Sequence, residues 1–397
     1  MSLESFENAL GATLTRHEAF AVDDCAIHCT ARPAEENALA RTLQLAGEHG
    51  VAVIPRGGGT RLELGNPPVR ADLLLDTGEL HGVTELDASE GVCQVRAGTS
   101  LGELRKVVAE TGWEVPIDAL DASTLGGALA SSALGPRSAG YGLPRDVVLG
   151  LSLAHASGSR THCGGRVVKN VTGYDMAKLY TGSLGTLGVI TKAWLRLRPR
   201  PERVLLYELE LPASAVALVS TAIARRPAVR ACSVASAGED YRCVVELAGD
   251  EASVEECATR LRADHAARPS AAKMLEAVRR RQTEPRRGGM RFRIGTVPSR
   301  LDAVLAALTR AEVAALAYPA LGLVYAFFEP SQLEDAFTVV EDAAQGGPFC
   351  CEVAPSEHKR GRDVFGELGG TLPLLRSLKQ RFDPDAVLNP GRFAGGL

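Results

Sequence analysis

The sequence predicts an α+β protein of two domains, and three observations lead there. Its 397 residues exceed what one compact core usually serves. Short apolar runs of strand length alternate with apolar stripes at helical spacing along most of the chain. The triplet Pro199-Arg200-Pro201 then breaks the pattern near mid-chain, which places a boundary there.

In chain order, Pro33 suits a first helical turn, and Leu39, Leu43 and Ala46 recur with helical spacing before Gly50 ends the helix. Val51-Ala52-Val53-Ile54 reads as a strand and runs directly into Pro55-Arg56-Gly57-Gly58-Gly59-Thr60. Leu73–Asp76 and Gly91–Val95 are further strands. Ser100-Leu101-Gly102-Glu103 has the capping-box pattern of a helix start, with Leu104, Val107 and Val108 as the expected inner face and Gly112 as the stop. From Val147 to Arg198 strands and glycine turns alternate.

Past residue 201 the texture changes. Strand candidates are 204–209, 241–247, 290–297, 321–328 and 349–353. Val216, Val219 and Ile223 form one helical stripe, and Leu301, Val304, Leu305 and Leu308 form another. The expectation is a sheet with helices packed on one side. Residues 268–291 are basic, with Arg279-Arg280-Arg281 and Arg286-Arg287; a solvated helix and loop, or an electropositive rim for an anionic partner, would both use them.

Composition narrows the function classes. A net charge of −4 argues against a general nucleic-acid binder. The nine cysteines show no C-x-x-C spacing, so neither a disulfide framework nor a structural zinc site is expected, and Cys350-Cys351 reads as a pair of small core residues. Reduced thiols fit a cytoplasmic setting. The first residues have no basic and apolar leader pattern, and no apolar run reaches the roughly 18 residues of a membrane span. Direct insertion into a membrane is therefore not expected, although peripheral attachment through a partner remains open.

Three glycine-rich turns stand out: 55–60, Thr124-Leu125-Gly126-Gly127, and Gly182-Ser183-Leu184-Gly185-Thr186-Leu187-Gly188. Glycine lets a backbone take positive φ and bring its N–H groups against an anion. Singly, each is an ordinary turn. Together, in one half of the chain, they suggest one long phosphorylated ligand such as a dinucleotide. The chain has no G-x-x-x-x-G-K-[ST], and the 182–188 run lacks the G-x-G-x-x-G spacing, so the two commonest nucleotide fingerprints are not met.

The ordered set P-R-G-G-G-T (55–60), T-L-G-G (124–127), V-V-K-N-V-T-G-Y-D-M (167–176), G-S-L-G-T-L-G-V-I-T (182–191) and F-D-P-D-A-V-L-N-P-G-R-F (382–393) resembles the FAD-linked oxidases of the vanillyl-alcohol oxidase or p-cresol methylhydroxylase type. Within them the likeness is greatest to FAD-binding subunits of bacterial glycolate oxidases. It is dense over about 21–200, thin over 201–370, and returns at the tail. The resemblance implies a PCMH-type FAD-binding domain at 1–200, a smaller α+β sandwich cap domain at 201–370, and a segment 371–397 returning to the FAD domain.

It also implies site residues. Pro55, Arg56, Gly57, Gly58, Gly59 and Thr60 would hold the FAD pyrophosphate. Thr124, Leu125, Gly126, Gly127, Ser131 and Ser132 would line the same channel, and Gly173, Tyr174 and Asp175 would shape the turn beside it. Gly185, Thr186, Gly188, Val189 and Ile190 would follow the adenine and ribose, while Asn389 and Arg392 close the pocket. Where relatives with covalent flavin carry histidine this chain has Thr60, so the FAD is expected to be noncovalent. Gly140-Tyr141-Gly142 replaces an Arg-Tyr-Gly triplet, leaving that arginine's contact missing or supplied by Arg137 or Arg145. Asn170-Val171-Thr172 fits a glycosylation sequon but falls inside the FAD motif.

The resemblance implies oxidation of a small 2-hydroxyacid, glycolate or lactate, beside a sister flavoprotein and an iron–sulfur subunit. Such chemistry needs a base, a cation for the carboxylate, and hydride transfer to the flavin. Alternation puts Arg291 and Arg293 on one sheet face, and Arg293, which matches an arginine recurring in relatives, is the candidate clamp. A structural ion pair would explain Arg293 equally well. Tyr325 and His358 are weaker candidates for the base. The H-x-D-G-N-x-H metal motif of the D-2-hydroxyacid dehydrogenases is missing; His265 and His358 are the only histidines after 200, and no metal site is expected. An FAD-carrying assembly or electron-relay subunit, or a free-standing flavin alcohol oxidase, would carry the same motifs.

Overall fold

The computed structural model describes residues 3–11, 14–167, 174–284 and 287–397. Its first sheet has four strands in the order Leu14–Val22, Cys25–Ala31, Leu73–Asp76, Val53–Arg56. The first pair is antiparallel; Leu73–Asp76 runs parallel to both of its neighbours. Parallel strands are usually covered on both faces. Here Val53, Leu73 and Leu75 join a core with helix Glu36–His49, while Ile54 and Leu74 point into a second core with Ile27. That helix ends at Gly50, whose φ of 67° is left-handed. It begins after Pro33, not at it.

The second sheet is antiparallel, ordered Val83–Asp87, Val92–Arg96, Val189–Arg196, Val148–Ala154, Arg160–Gly164. Helix Leu101–Ala109 packs on it; the Ser100 hydroxyl accepts from Glu103 N–H, the first half of the expected capping box. Leu101, Leu104 and Val108 are its buried residues. Val107, placed on the inner face by the sequence, is exposed instead.

The third sheet is the largest, with eight antiparallel strands between residues 203 and 353. Besides the two-residue strand Arg268–Pro269, two of its strands, Val229–Ala237 and Ala314–Tyr318, are absent from the expected set. They are rich in alanine, serine and cysteine, which carry little strand signal. Alternation sorts the sheet cleanly. Phe292, Ile294, Ala315, Ala317, Val324 and Ala326 face helices 216–224, 251–265, 301–310 and 336–344.

Leu316, Tyr318 and Tyr325 face the other way, into a small core with Val278 from helix Lys273–Thr283. Helices therefore cover both faces, a correction to the one-sided sandwich. The second face needs cover because it meets the first half of the chain. Leu305→Ala, at a fully enclosed position, is expected to cost about 2–5 kcal/mol in urea unfolding, and Val107→Ala less than about 0.5 kcal/mol.

Named side chains hold the two halves together. Arg137 and Arg230 both pair with buried Glu246, at 2.8 and 2.6 Å. Arg279, from the basic stretch, pairs with buried Asp118. Gln282 spends its whole amide: Nε2 donates to Leu134 O and to Tyr325 OH, and Oε1 accepts from Tyr318 OH. Arg286 and residues 168–173 of the V-V-K-N-V-T-G-Y-D-M motif lie outside the described residues.

Candidate functional site

The carboxyl end of strand Val53–Arg56 opens beside that of its parallel neighbour, the place where open α/β sheets bind ligands. The glycine loop leaves the sheet there and lies flat against residues 122–124. A Cβ on Gly57 would meet Thr124 Oγ1 at 2.0 Å, and one on Gly58 would meet Ala122 O at 2.1 Å. Thr124 Oγ1 accepts from the amides of Gly58 and Gly127, both at 3.3 Å. The Thr60 and Ser123 hydroxyls share a hydrogen bond of 2.8 Å. Gly58, Gly59 and Thr60 stay exposed on the opposite side.

The C-terminal segment completes this wall. Leu388 bridges to the edge strand at Val53, with Val53 N–H donating to Val387 O and Asn389 N–H to Val53 O. Asn389 takes a φ of 45° and its Nδ2 donates to Leu184 O. Buried Lys379 fastens the segment from behind: Nζ pairs with Asp383 at 2.6 Å and donates to Thr186 O and Leu388 O. Arg392 donates to Leu62 O and Leu64 O, holding the stretch that follows the glycine loop. Arg392→Ala removes two charge-assisted bonds and should make the C-terminal segment cleavable in limited proteolysis at a protease level that spares the parent.

These pieces enclose a cavity of about 90 Å³. Pro55 through Thr60, Thr124, Gly127, Ser131, Asn389 and Arg392 line it, as does Leu184. Gly185 lies at its edge, its Cβ position 3.5 Å from Pro55 and 3.7 Å from Asn389 Nδ2. Other residues named from the sequence are elsewhere. Leu125 and Gly126 lie beneath the wall, Gly126 pressed on Ala97. Ser132 and the run Thr186, Gly188, Val189, Ile190 are outside the lining; Thr186 Oγ1 is spent on Ser183 O. Tyr174 is 95% exposed, Asp175 pairs with Lys178, and Gly173 lies outside the described residues. Arg137, considered as a substitute for the triplet arginine, is committed to Glu246.

A second, roomier cavity of about 630 Å³ shares Arg56, Gly58, Gly59, Thr60, Arg61 and Leu62 with the first. It reaches from the glycine loop to Arg291 and Glu352 on the large sheet. Glu352 is 1% exposed and gathers three guanidinium groups: Arg61 at 3.5 Å, Arg291 at 3.2 Å and Arg293 at 3.4 Å. Burial alone would raise its carboxyl; Arg61, Arg293 and Arg291 outweigh that and hold it at about 2. Arg293 is thus engaged in an ion pair and is not in the cavity lining.

Tyr325 is fully buried opposite Arg293, and burial together with Glu352 raises its phenol, so it stays protonated at neutral pH. His358 sits on the short helix Ser356–Lys359 and does not line the cavity either. At the mouth, fully buried Lys359 pairs with Asp23 at 2.7 Å and donates to Glu63 O, joining the first hairpin to the second half. Arg61, Glu352, Gln282 and Lys379 went unnoticed in the sequence. The one available signal was an acid, Glu352, inside the apolar strand Phe349–Val353.

The donor set suits an anionic dinucleotide. Arg56 Nε is a buried donor without a hydrogen-bond partner among the described residues, and Asn389 Oδ1 is a buried acceptor likewise without one. The glycine loop presents open backbone where any side chain would collide. FAD, with a diphosphate for Arg56 and the loop amides and a polar ring system for the larger cavity, fits these residues.

Comparison with known proteins agrees. A family described as an FAD binding domain matches residues 27–164. Glycolate oxidase subunit GlcD of Bacillus subtilis is 34% identical over 172 residues, 43% of this chain and 37% of that protein. The mitochondrial D-2-hydroxyglutarate dehydrogenase of Bos taurus is 36% identical over 175 residues, 44% of this chain and 32% of that one. The D-lactate dehydrogenase of Archaeoglobus fulgidus is 35% identical over 170 residues, 43% and 38%. The matched stretch spans only about a third of each relative's length. Among solved structures, alkyldihydroxyacetonephosphate synthase superposes with a TM-score of 0.74 at 17% identity, covering 99% of this chain and 86% of that chain, which shows a shared fold. The chain carries an FAD binding domain, and over that part it is homologous to the FAD-linked oxidoreductases.

Proposed function

We propose that this chain is an FAD-dependent oxidoreductase subunit that acts in the oxidation of a small 2-hydroxyacid such as glycolate or lactate. The observation that carries the reading is the wall the two cavities share: Arg56, Gly58 to Leu62 and Leu64 line both, and Arg291 lines the larger one as well. Residues 55–60, 124–131 and 389–392 would hold the FAD diphosphate, and the larger cavity would take the flavin ring and the hydroxyacid. Bound FAD supplies a two-electron acceptor at its ring. The chain's own contribution is to orient: glycine backbone and Arg56 fix the cofactor, and the cationic floor draws a carboxylate. A division near residue 200 is supported by the change from the first two sheets to the third, and one near 370 by the bridge of Leu388 back to Val53.

A second reading has a specific observation in its favour. Among the described residues no histidine lines the larger cavity. Glu352, held at about 2, is a poor proton acceptor, and Tyr325 is protonated and enclosed. In that reading the FAD relays electrons for a sister flavoprotein and an iron–sulfur subunit. Anaerobic addition of glycolate and D-lactate separates the two. Bleaching of the flavin band in the isolated chain supports turnover; bleaching only with copurifying subunits supports the relay; none in either setting defeats both.

The flavin itself is expected to be noncovalent, because Thr60 and Ser123 offer hydroxyls to each other and no nucleophilic ring nitrogen lines the loop. Acid precipitation should leave all the yellow colour in the supernatant. Colour in the pellet would show a covalent link.

A further inference from the structure

The arginine named from the sequence as the carboxylate clamp, Arg293, is not in the cavity lining, whereas Arg61 is. Arg61 comes from the stretch that follows the glycine loop and is the residue that lines both cavities while touching the large sheet. Its Nη2 lies 3.5 Å from Glu352 Oε2, and its Nη1 is buried with no hydrogen-bond partner among the described residues. One edge of the guanidinium is engaged and another is unpaired.

Arg291 converges on the same carboxylate oxygen through Nε and Nη2, and its Nη1 donates to Gln282 O at 2.6 Å. It is therefore nearly saturated. The cluster sets three guanidinium groups against one carboxylate. Of the other acids in the cavity lining, Asp23 is engaged by Lys359 and Arg392, Asp24 by Arg360, and Glu63 is exposed to solvent. A buried cluster with surplus positive charge and an unused N–H is incomplete until an anion joins it.

We propose that Arg61 fixes the substrate class of this protein: its free edge binds a substrate carboxylate at the floor of the larger cavity, with Glu352 holding Arg61 beside Arg291 for that purpose. The inference rests on the larger cavity being the substrate compartment, as proposed above. It predicts selection for hydroxyacids over neutral alcohols of the same size. It also gives the cofactor half of the chain a direct part in choosing the substrate.

The test uses the FAD-loaded protein and oxalate, a small dicarboxylate with no C–H to oxidise, titrated by calorimetry. Flavin content per chain is measured first, since a parent protein that takes up no FAD would sink the underlying reading instead. Arg61→Gln should keep its FAD and bind oxalate at least about tenfold more weakly, the usual size of a lost charge-assisted hydrogen bond. Arg61→Lys, which keeps the charge and serves if the glutamine variant folds poorly, should bind oxalate with intermediate affinity and a steeper loss with added salt. Ethylene glycol should bind measurably to none of them. Unchanged oxalate affinity in a flavin-loaded Arg61→Gln protein overturns the proposal and leaves the FAD reading standing. Loss of FAD from a folded Arg61→Gln protein also overturns it, because Arg61 would then belong to the cofactor.

Discussion

Gly58→Ala is expected to abolish FAD retention, lowering affinity by more than about a hundredfold while the protein remains folded. The added methyl would sit 2.1 Å from Ala122 O and 3.2 Å from its carbonyl carbon, so backbone and not a pliable side chain must give way. Ala122 cannot retreat alone. Ser123 is tied to Thr60, and Thr124 collects the amides of Gly58 and Gly127. Moving the 122–124 stretch therefore moves both walls of the smaller cavity. Overpacking of this kind typically costs about 1–3 kcal/mol in stability, less than a whole domain's margin.

Gly59→Ala supplies the comparison. Its φ of 71° carries the left-handed cost of about 1–2 kcal/mol, but its Cβ would meet only the Arg56 side chain, at 3.2 Å. A milder loss of FAD is expected there. Flavin absorbance per chain after gel filtration, with circular dichroism on the same samples, checks both.

Glu352→Ala should be the most destabilising substitution on the large sheet, by about 3–5 kcal/mol in urea. It strands three guanidinium groups in a region where the parent carboxylate is 1% exposed. Sulfate should restore part of the loss, since an anion can enter the larger cavity. The pH dependence has a definite sign. Glu352 is held at about 2 against an ordinary 4.5, so its contribution is fully present above the ordinary value and is lost as pH falls towards the folded one. The gap between parent and variant should be constant near neutrality and narrow between about pH 5 and about pH 3. A gap that widened on acidification would mean that Glu352 is not ionised in the parent.

The parts of this protein that are local in sequence were readable from it. The glycine loop following Val53–Arg56, the Ser100 cap, the Gly50 stop and the stripe Leu301, Val304, Leu305, Leu308 each depend on neighbours within a few residues. What escaped depends on distance. Arg61 and Glu352 are 291 positions apart, and nothing near either one announces the other. Gln282 looks like a surface residue of a basic helix, yet Leu134, Tyr318 and Tyr325 converge on it from a loop and two strands. Strand Ala314–Tyr318 has the composition of a helix and becomes a strand because Val234 and Ala235 on one side and Leu323–Phe327 on the other offer it backbone partners. Val107 fits a helical stripe by spacing, but the helix rolls so that Leu101 takes the inner position.

The central claim is that glycine backbone, Arg56 and the returning C-terminal segment grip the diphosphate of FAD. Calorimetric titration of flavin-free protein tests it most directly, using FAD, ADP and riboflavin in turn. One FAD should bind per chain, ADP should compete with it, and riboflavin, which has the ring but no phosphate, should bind far more weakly. Riboflavin binding as tightly as FAD, or no uptake of FAD at all, would contradict the account.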